Sequence, residues 1–202
     1  MNKPLVLLSI FLATLVTHPT RGDVTVTEPA GANSVSADKC ANSTNGAAYT
    51  PLGDIVITEV AATDFAAGNG KTLILTLPAG WQFNPTGASV AFLNSRDITA
   101  ASMVVTTSNL TVTLSVGGTS KMDQLTIHGL QVQALDGAAD PNSGYILNLS
   151  SASGTAVIAG INPDLTTFGL LSTVPGNPGR WAWRHNLLRP LLPERFLPNS
   201  RT

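Results

Sequence analysis

Charge is scarce in this 202-residue chain: Asp, Glu, Lys and Arg make up 11% of it. Amphipathic helices carry charged outer faces, so the shortage argues against a helical bundle. With 43% hydrophobic residues the chain also lacks the polarity of a disordered one. It has a single cysteine, Cys40, which excludes an internal disulfide framework. None is needed, because about 150 residues can bury roughly 70% of their unfolded surface. Catalytic parts are missing too. His128 is the lone histidine between residues 23 and 176, and no serine sits in a Gly-x-Ser-x-Gly elbow. No zinc-ligand spacing, EF-hand spacing or phosphate-cradling glycine motif occurs. Glu28 and Glu59 are the only glutamates before Glu194, and nothing in the sequence pairs them as a glycoside hydrolase pairs its carboxylates.

The one sustained apolar run is at the N-terminus. "LVLLSIFLATLV", residues 5–16, follows the basic start "MNKP" and precedes small residues. It is too short for a membrane span and reads as a signal peptide over residues 1–22, cleaved after Gly22; the alternative is an uncleaved anchor. Cys40 lies too far downstream to carry a lipid. Residues 23–179 hold eleven acids and four bases, a net of −7, and the last 23 residues hold five arginines and one glutamate, a net of +4. The acidic body repels phosphate backbones, which argues against nucleic acid as a partner. The basic, proline-rich stretch "NPGRWAWRHNLLRPLLPERFLPNSRT" contains Pro190, Pro193 and Pro198, which forbid a regular helix. Residues 177–202 are expected to form an irregular tail.

Between these ends, strand-like runs alternate with Gly, Asn, Asp and Pro. "DIVITEV" places Ile55 and Ile57 on one face, and "TLILTL" does the same with Leu73, Leu75 and Leu77. "MVVTTSNLTVTLSV" reads as a hairpin turning near Ser108-Asn109. Its second arm sets Leu110, Val112, Leu114 and Val116 against Thr111, Thr113 and Ser115. In "QLTIHGLQVQAL" the apolar phase flips across His128-Gly129, from Leu125 and Ile127 to Leu130, Val132 and Ala134, which predicts a bulge there. "YILNLS" alternates Tyr145, Leu147 and Leu149, and "TAVIAGI" is a further candidate strand. The expectation is an all-β sandwich of roughly seven to nine strands spanning residues 23–176.

Four segments, "VSADKCANSTNGAAYTPLGDIVITE", "LILTLPAGWQFN", "SRDITAASMVVTTSNLTVTLSV" and "DQLTIHGLQVQALDG", together resemble a repeat module of large secreted surface proteins of Bacteroidetes-type bacteria, some of them gliding-motility or adhesin-like. The resemblance covers about residues 24–176. It implies an immunoglobulin- or cohesin-like β-sandwich strung in arrays, a location outside the cell or at its surface, and no catalytic residues. One module followed by a basic tail departs from that pattern. A gene fragment or shifted reading frame accounts for the departure; the alternative is a tail that touches membrane or a partner.

Trp81 and Phe83 share a face after the Pro78-Ala79-Gly80 turn. They are either a sugar-stacking pair or core residues, and the core is the more economical reading, because the aromatics are scattered and such burial stabilises by a few kcal/mol. "DGAADPNSG" is read first as an ordinary Asx-rich turn; Asp136, Asp140 and Asn142 offer oxygens for a calcium ion as the weaker alternative. Cys40 reads as a small loop residue or as half of an intermolecular disulfide. Asn42, Asn109 and Asn148 begin glycosylation sequons. The function expected is an exported structural or adhesive surface module without catalysis or cofactor, its partners neighbouring modules, cell-surface polymers or glycans. A carbohydrate-binding module is the alternative, and a hydrolase fragment is a third reading.

Overall fold

The structure, a computed structural model, describes residues 22–44, 46–137 and 143–175. Most of the expected leader and the whole expected tail lie outside the described residues. Thirteen strands run through the described part: β1 (Thr25–Thr27), β2 (Val35–Ser36), β3 (Thr50–Pro51), β4 (Ile55–Thr58), β5 (Gly68–Thr76), β6 (Trp81–Phe83), β7 (Ser89–Phe92), β8 (Ile98–Val105), β9 (Asn109–Val116), β10 (Gln124–His128), β11 (Gln131–Ala134), β12 (Ser143–Leu147) and β13 (Thr167–Val174). Nine have four residues or more, within the number expected. The other four are too short to leave an alternating pattern. The strands form a four-stranded sheet (β1-β4-β10-β7), a three-stranded sheet (β3-β11-β6) and a six-stranded sheet (β2-β13-β12-β5-β9-β8). The protein is an all-β sandwich whose sheets share one core, with Ile57, Phe65, Leu75, Phe83, Leu125 and Phe168 among its closed side chains.

Period-two logic governs most of these strands. In β9, Leu110, Val112, Leu114 and Val116 are buried, while Asn109, Thr111, Thr113 and Ser115 face outward. The β8–β9 hairpin turns over residues 106–108, where the Thr106 N–H and hydroxyl both donate to the Asn109 carbonyl, at 2.8 and 2.9 Å. β4 buries Ile55 and Ile57, and β5 buries Leu73 and Leu75.

The phase flip at His128-Gly129 is present, but no bulge produces it. β10 pairs with β4 and β11 with β3 in one continuous register, which sets Gly129 opposite Gly53. Both chains change phase together: Leu52 is buried before Gly53, and Ile55 after it. Because the two strands turn over as a pair, neither needs an extra residue. The Leu52 N–H still donates to the Leu130 carbonyl at 2.8 Å across the break. Gly129 has φ +68°, and a Cβ there would lie 2.8 Å from the Gly87 carbonyl oxygen. Gly129→Ala is therefore expected to cost about 2 kcal/mol, combining left-handed strain with a backbone clash. A urea midpoint unchanged from the parent protein would show that the bend tolerates a side chain.

Two strand assignments need correction. In β12 the inward residue is Ile146, and the next inward side chain is Asn148; Tyr145 is 48% exposed and Leu147 only partly covered. The apolar pattern misleads here because the inward polar residue bonds to main chain. Asn148 Nδ2 donates to the carbonyls of Ile74 (2.8 Å) and Ser153 (2.9 Å), fastening the following loop to β5. "TAVIAGI" is not a strand; it contributes one isolated bridge, Ile158 to Phe65, and Gly154 just before it forms another with Leu73. The eight-residue strand in this part of the chain is β13, which Gly169 at φ +141° and two successive buried residues, Phe168 and Gly169, conceal from a period-two reading.

Candidate functional site

Trp81 and Phe83 sit on β6, paired with Ala134 and Val132 of β11. Trp81 is 4% exposed and Phe83 is closed from solvent. A stacking platform must offer a ring face to the ligand, and neither residue does, so the pair belongs to the core. Asp136 accepts a hydrogen bond from Asn42 Nδ2 at 2.8 Å. Asp140 and Asn142, its proposed calcium partners, lie outside the described residues. Cys40 is buried and its thiol donates to Asn42 Oδ1 at 2.9 Å. A thiol so covered meets no second chain unless the loop opens, which weighs against the intermolecular disulfide. His128 Nδ1 lies 2.9 Å from Asp54 Oδ2 in a half-exposed pair.

What the structure does assemble is a set of carboxylates at one end of the sandwich. Glu59 continues the inward phase of Ile55 and Ile57, and Asp123 precedes Leu125 in the same phase. The Glu59 N–H donates to the Asp123 carbonyl at 3.0 Å, extending the β4–β10 pairing by one step. Glu59 is 2% exposed, Asp123 1% and Asp64 0%. Each accepts main-chain hydrogen bonds. Glu59 Oε1 takes the Phe65 N–H (2.7 Å) and Oε2 takes the Asp123 N–H (2.6 Å). Asp64 Oδ2 takes the N–H groups of Val60 (2.9 Å) and Ala61 (2.8 Å). Asp123 Oδ1 takes the Ile98 N–H at 3.1 Å. Asp97 Oδ2 takes the Lys121 and Ser120 N–H groups. These acids tie three loops together: the β4–β5 loop, the start of β8 and the turn before β10.

Burial pushes the Glu59 carboxyl above its ordinary range, the Phe65 and Asp123 amides draw it back, and the charges of Asp123 and Asp64 add to the rise. Burial likewise raises Asp123, against the Ile98 amide and with the charge of Asp97. Asp97 is lowered, chiefly by the Lys121 amide. Two oxygens, Asp64 Oδ1 and Asp123 Oδ2, are buried without a hydrogen-bond partner. Among the described residues no three His, Cys, Asp or Glu side chains converge as metal ligands would. Apart from those two oxygens the buried carboxylates are bonded to amides, an arrangement suited to holding loops. Alternation of sequence would have found Glu59 and Asp123, because both keep the phase of their apolar strands.

The second feature is the outer face of the six-stranded sheet. Ser102, Thr113 and Thr72 stand side by side on β8, β9 and β5. The row continues to Thr155, whose Oγ1 lies 3.4 Å from Thr72 Oγ1. Thr111 and Ser115 flank Thr113, and Tyr145 and Leu147 of β12 border this face. Strands spaced about 4.8 Å apart set these hydroxyls in an open array. The outward positions of β9 carry no charged residue. Two surface hollows, of 150 and 170 Å³, fall below the roughly 300 Å³ at which ligand pockets begin. No described helix is long and apolar enough to cross a membrane.

No protein-family model, no curated protein and no solved structure matches this chain.

Proposed function

We propose that the chain is an exported structural or adhesive module of the cell surface, an immunoglobulin- or cohesin-like sandwich without catalytic activity. The observation that carries this reading is the uncharged outer face of β9, flanked by Ser102 and Val104 of β8 and by Thr72 and Ile74 of β5, on a body whose net charge is −7. Like-charged bodies repel one another, and a neutral face is where contact with a neighbouring module or a neutral surface polymer meets least repulsion. The clamped loops at the acidic end make the body a stiff spacer. Carbohydrate binding is the second reading. Tyr145, exposed at the border of that face, favours it, because a sugar ring can stack there as it cannot on Trp81.

The test is retention of the exported protein on immobilised copies of itself and on a panel of neutral polysaccharides. Thr111→Lys with Thr113→Lys is expected to cut retention at least ~10-fold, since each ammonium must be desolvated on contact, with an unchanged melting temperature. Tyr145→Ala separates the two readings: it abolishes glycan retention and leaves self-association intact. Retention unaffected by the lysines, or absent from every surface, would reject the adhesive face.

A further inference from the structure

The chain that follows the expected leader is seated in the fold. The Val24 N–H donates to the Ala159 carbonyl at 3.0 Å. Asp23 lies so close to Gly160 that a Cβ on that glycine would sit 2.7 Å from Asp23 Cβ. Gly22 is wedged against the acidic end: a Cβ on it would meet Val60 Cβ at 3.3 Å and Asp64 Oδ2 at 3.4 Å. Asp64 is fully buried; Oδ2, the oxygen nearest Gly22, already accepts the Val60 and Ala61 N–H groups, and Oδ1 of the same carboxylate is without a partner. Ordinary bond geometry then puts the Asp23 nitrogen within about 7 Å of the Asp64 carboxylate.

We propose that the acidic end is a receptor for the chain's own new amino terminus, an α-ammonium group released when the leader is removed at the Gly22–Asp23 bond. The proposal rests on reading residues 1–22 as an export leader. Hydrolysis adds one water across that amide. Gly22 leaves with the carboxylate, and Asp23 keeps the nitrogen, which takes up a proton. The ammonium then moves into the space vacated by Gly22, beside Asp64. In the precursor the same nitrogen is a neutral amide and offers the buried acids no charge. Leader removal thereby supplies a cation to the place in the fold that most needs one, and the exported form becomes the more stable one.

The groups facing this ammonium are Asp64, the Glu59 and Asp123 carboxyls behind it, and its own Asp23 side chain; Arg96 and Lys121 act further off, on Asp123 and Asp97. An α-ammonium beside a carboxylate has its pKa raised. Its contribution is whole below the unfolded value of about 8 and disappears as pH climbs through the raised one.

The full chain is expressed with its leader in a secreting host, alongside a version with Gly-Ser inserted between Gly22 and Asp23. Mass spectrometry of the exported proteins gives their amino termini. At pH 6 the form beginning at Asp23 is expected to melt roughly 3 °C or more above the extended form. The gap should close by about pH 10, when the amine has lost its proton. Acylation of the α-amine at pH 7 should be ~10-fold slower than in Asp64→Asn, one unit of pKa being a factor of ten. Equal melting and equal acylation with Asp23 at the terminus would overturn the docking and leave the export reading standing. A terminus elsewhere would overturn both.

Discussion

Phe83→Ala is expected to lower the unfolding free energy by about 4 kcal/mol, the cost of emptying a fully buried aromatic site. Phe83 is closed from solvent, and its strand is only three residues long. So short a strand cannot persist on its ladder alone, and the side chains hold it. Its own N–H donates to the Thr107 carbonyl at 2.9 Å, which links β6 to the β8–β9 turn. Trp81 contrasts with it instructively. Its indole Nε1 is buried without a partner. Trp81→Ala leaves a large cavity and should cost about 3 kcal/mol. Trp81→Phe removes the orphaned donor along with part of the ring, so the lost packing and the relieved desolvation oppose each other, and the net change should stay within about 1 kcal/mol. Urea unfolding of the three variants checks this order. If Trp81→Phe proves as damaging as Trp81→Ala, the indole N–H has a partner that burial conceals. If Phe83→Ala costs under about 1 kcal/mol, β6 is not part of the core, and the sugar-stacking reading of the pair regains its footing.

The burial of Trp81 and Phe83 shows what kind of information the chain carries in plain view. Where both neighbours of a strand are regular and one face is wet, as on β9, alternation reveals the inside directly. It also marks Glu59 and Asp123 as inward, provided a carboxylate is allowed to hold a place in an apolar phase. Position alone leaves undetermined that the two lie opposite each other, because that depends on β4 pairing with β10 across more than sixty intervening residues. Asn148 defeats the pattern for a related reason: its inward place follows from the carbonyls of Ser153, five residues on, and of Ile74, which is remote in sequence. The Gly129 bend is half legible. One strand displays the phase flip, but its matching flip at Gly53 is what turns a bulge into a paired break. The outer hydroxyl face is written in the threonines of β5 and β9, yet only the order of strands makes it a surface.

The Glu59 carboxylate is the sharpest test of the acidic end. Glu59→Ala orphans the buried N–H groups of Phe65 and Asp123 at once and should cost about 3 kcal/mol near pH 4, the cost shrinking as pH rises and the parent loses stability of its own. Glu59→Gln keeps the shape and never ionises, but its Nε2 donates and cannot accept, so one of the two N–H groups stays orphaned. Burial raises the folded pKa of Glu59 above its ordinary 4.5. Its stabilising contribution is therefore whole below pH 4.5 and is lost as pH rises through the raised value. Glu59→Gln should lie below the parent near pH 4, by less than Glu59→Ala does, and both variants should gain on the parent as pH increases to 7. Asp97 and Asp164 titrate in the opposite sense: both are lowered from 3.8, and the stability they contribute is lost on acidification. The substitution leaves them in place, so they drop out of the difference between the two proteins. Unfolding free energies by urea at pH 4, 5.5 and 7 decide the matter. A difference that stays constant across that range would mean Glu59 ionises in the fold as freely as in the unfolded chain. The loops at this end would then be held by their amide bonds alone, with no strain from crowded charge for a new amino terminus to relieve.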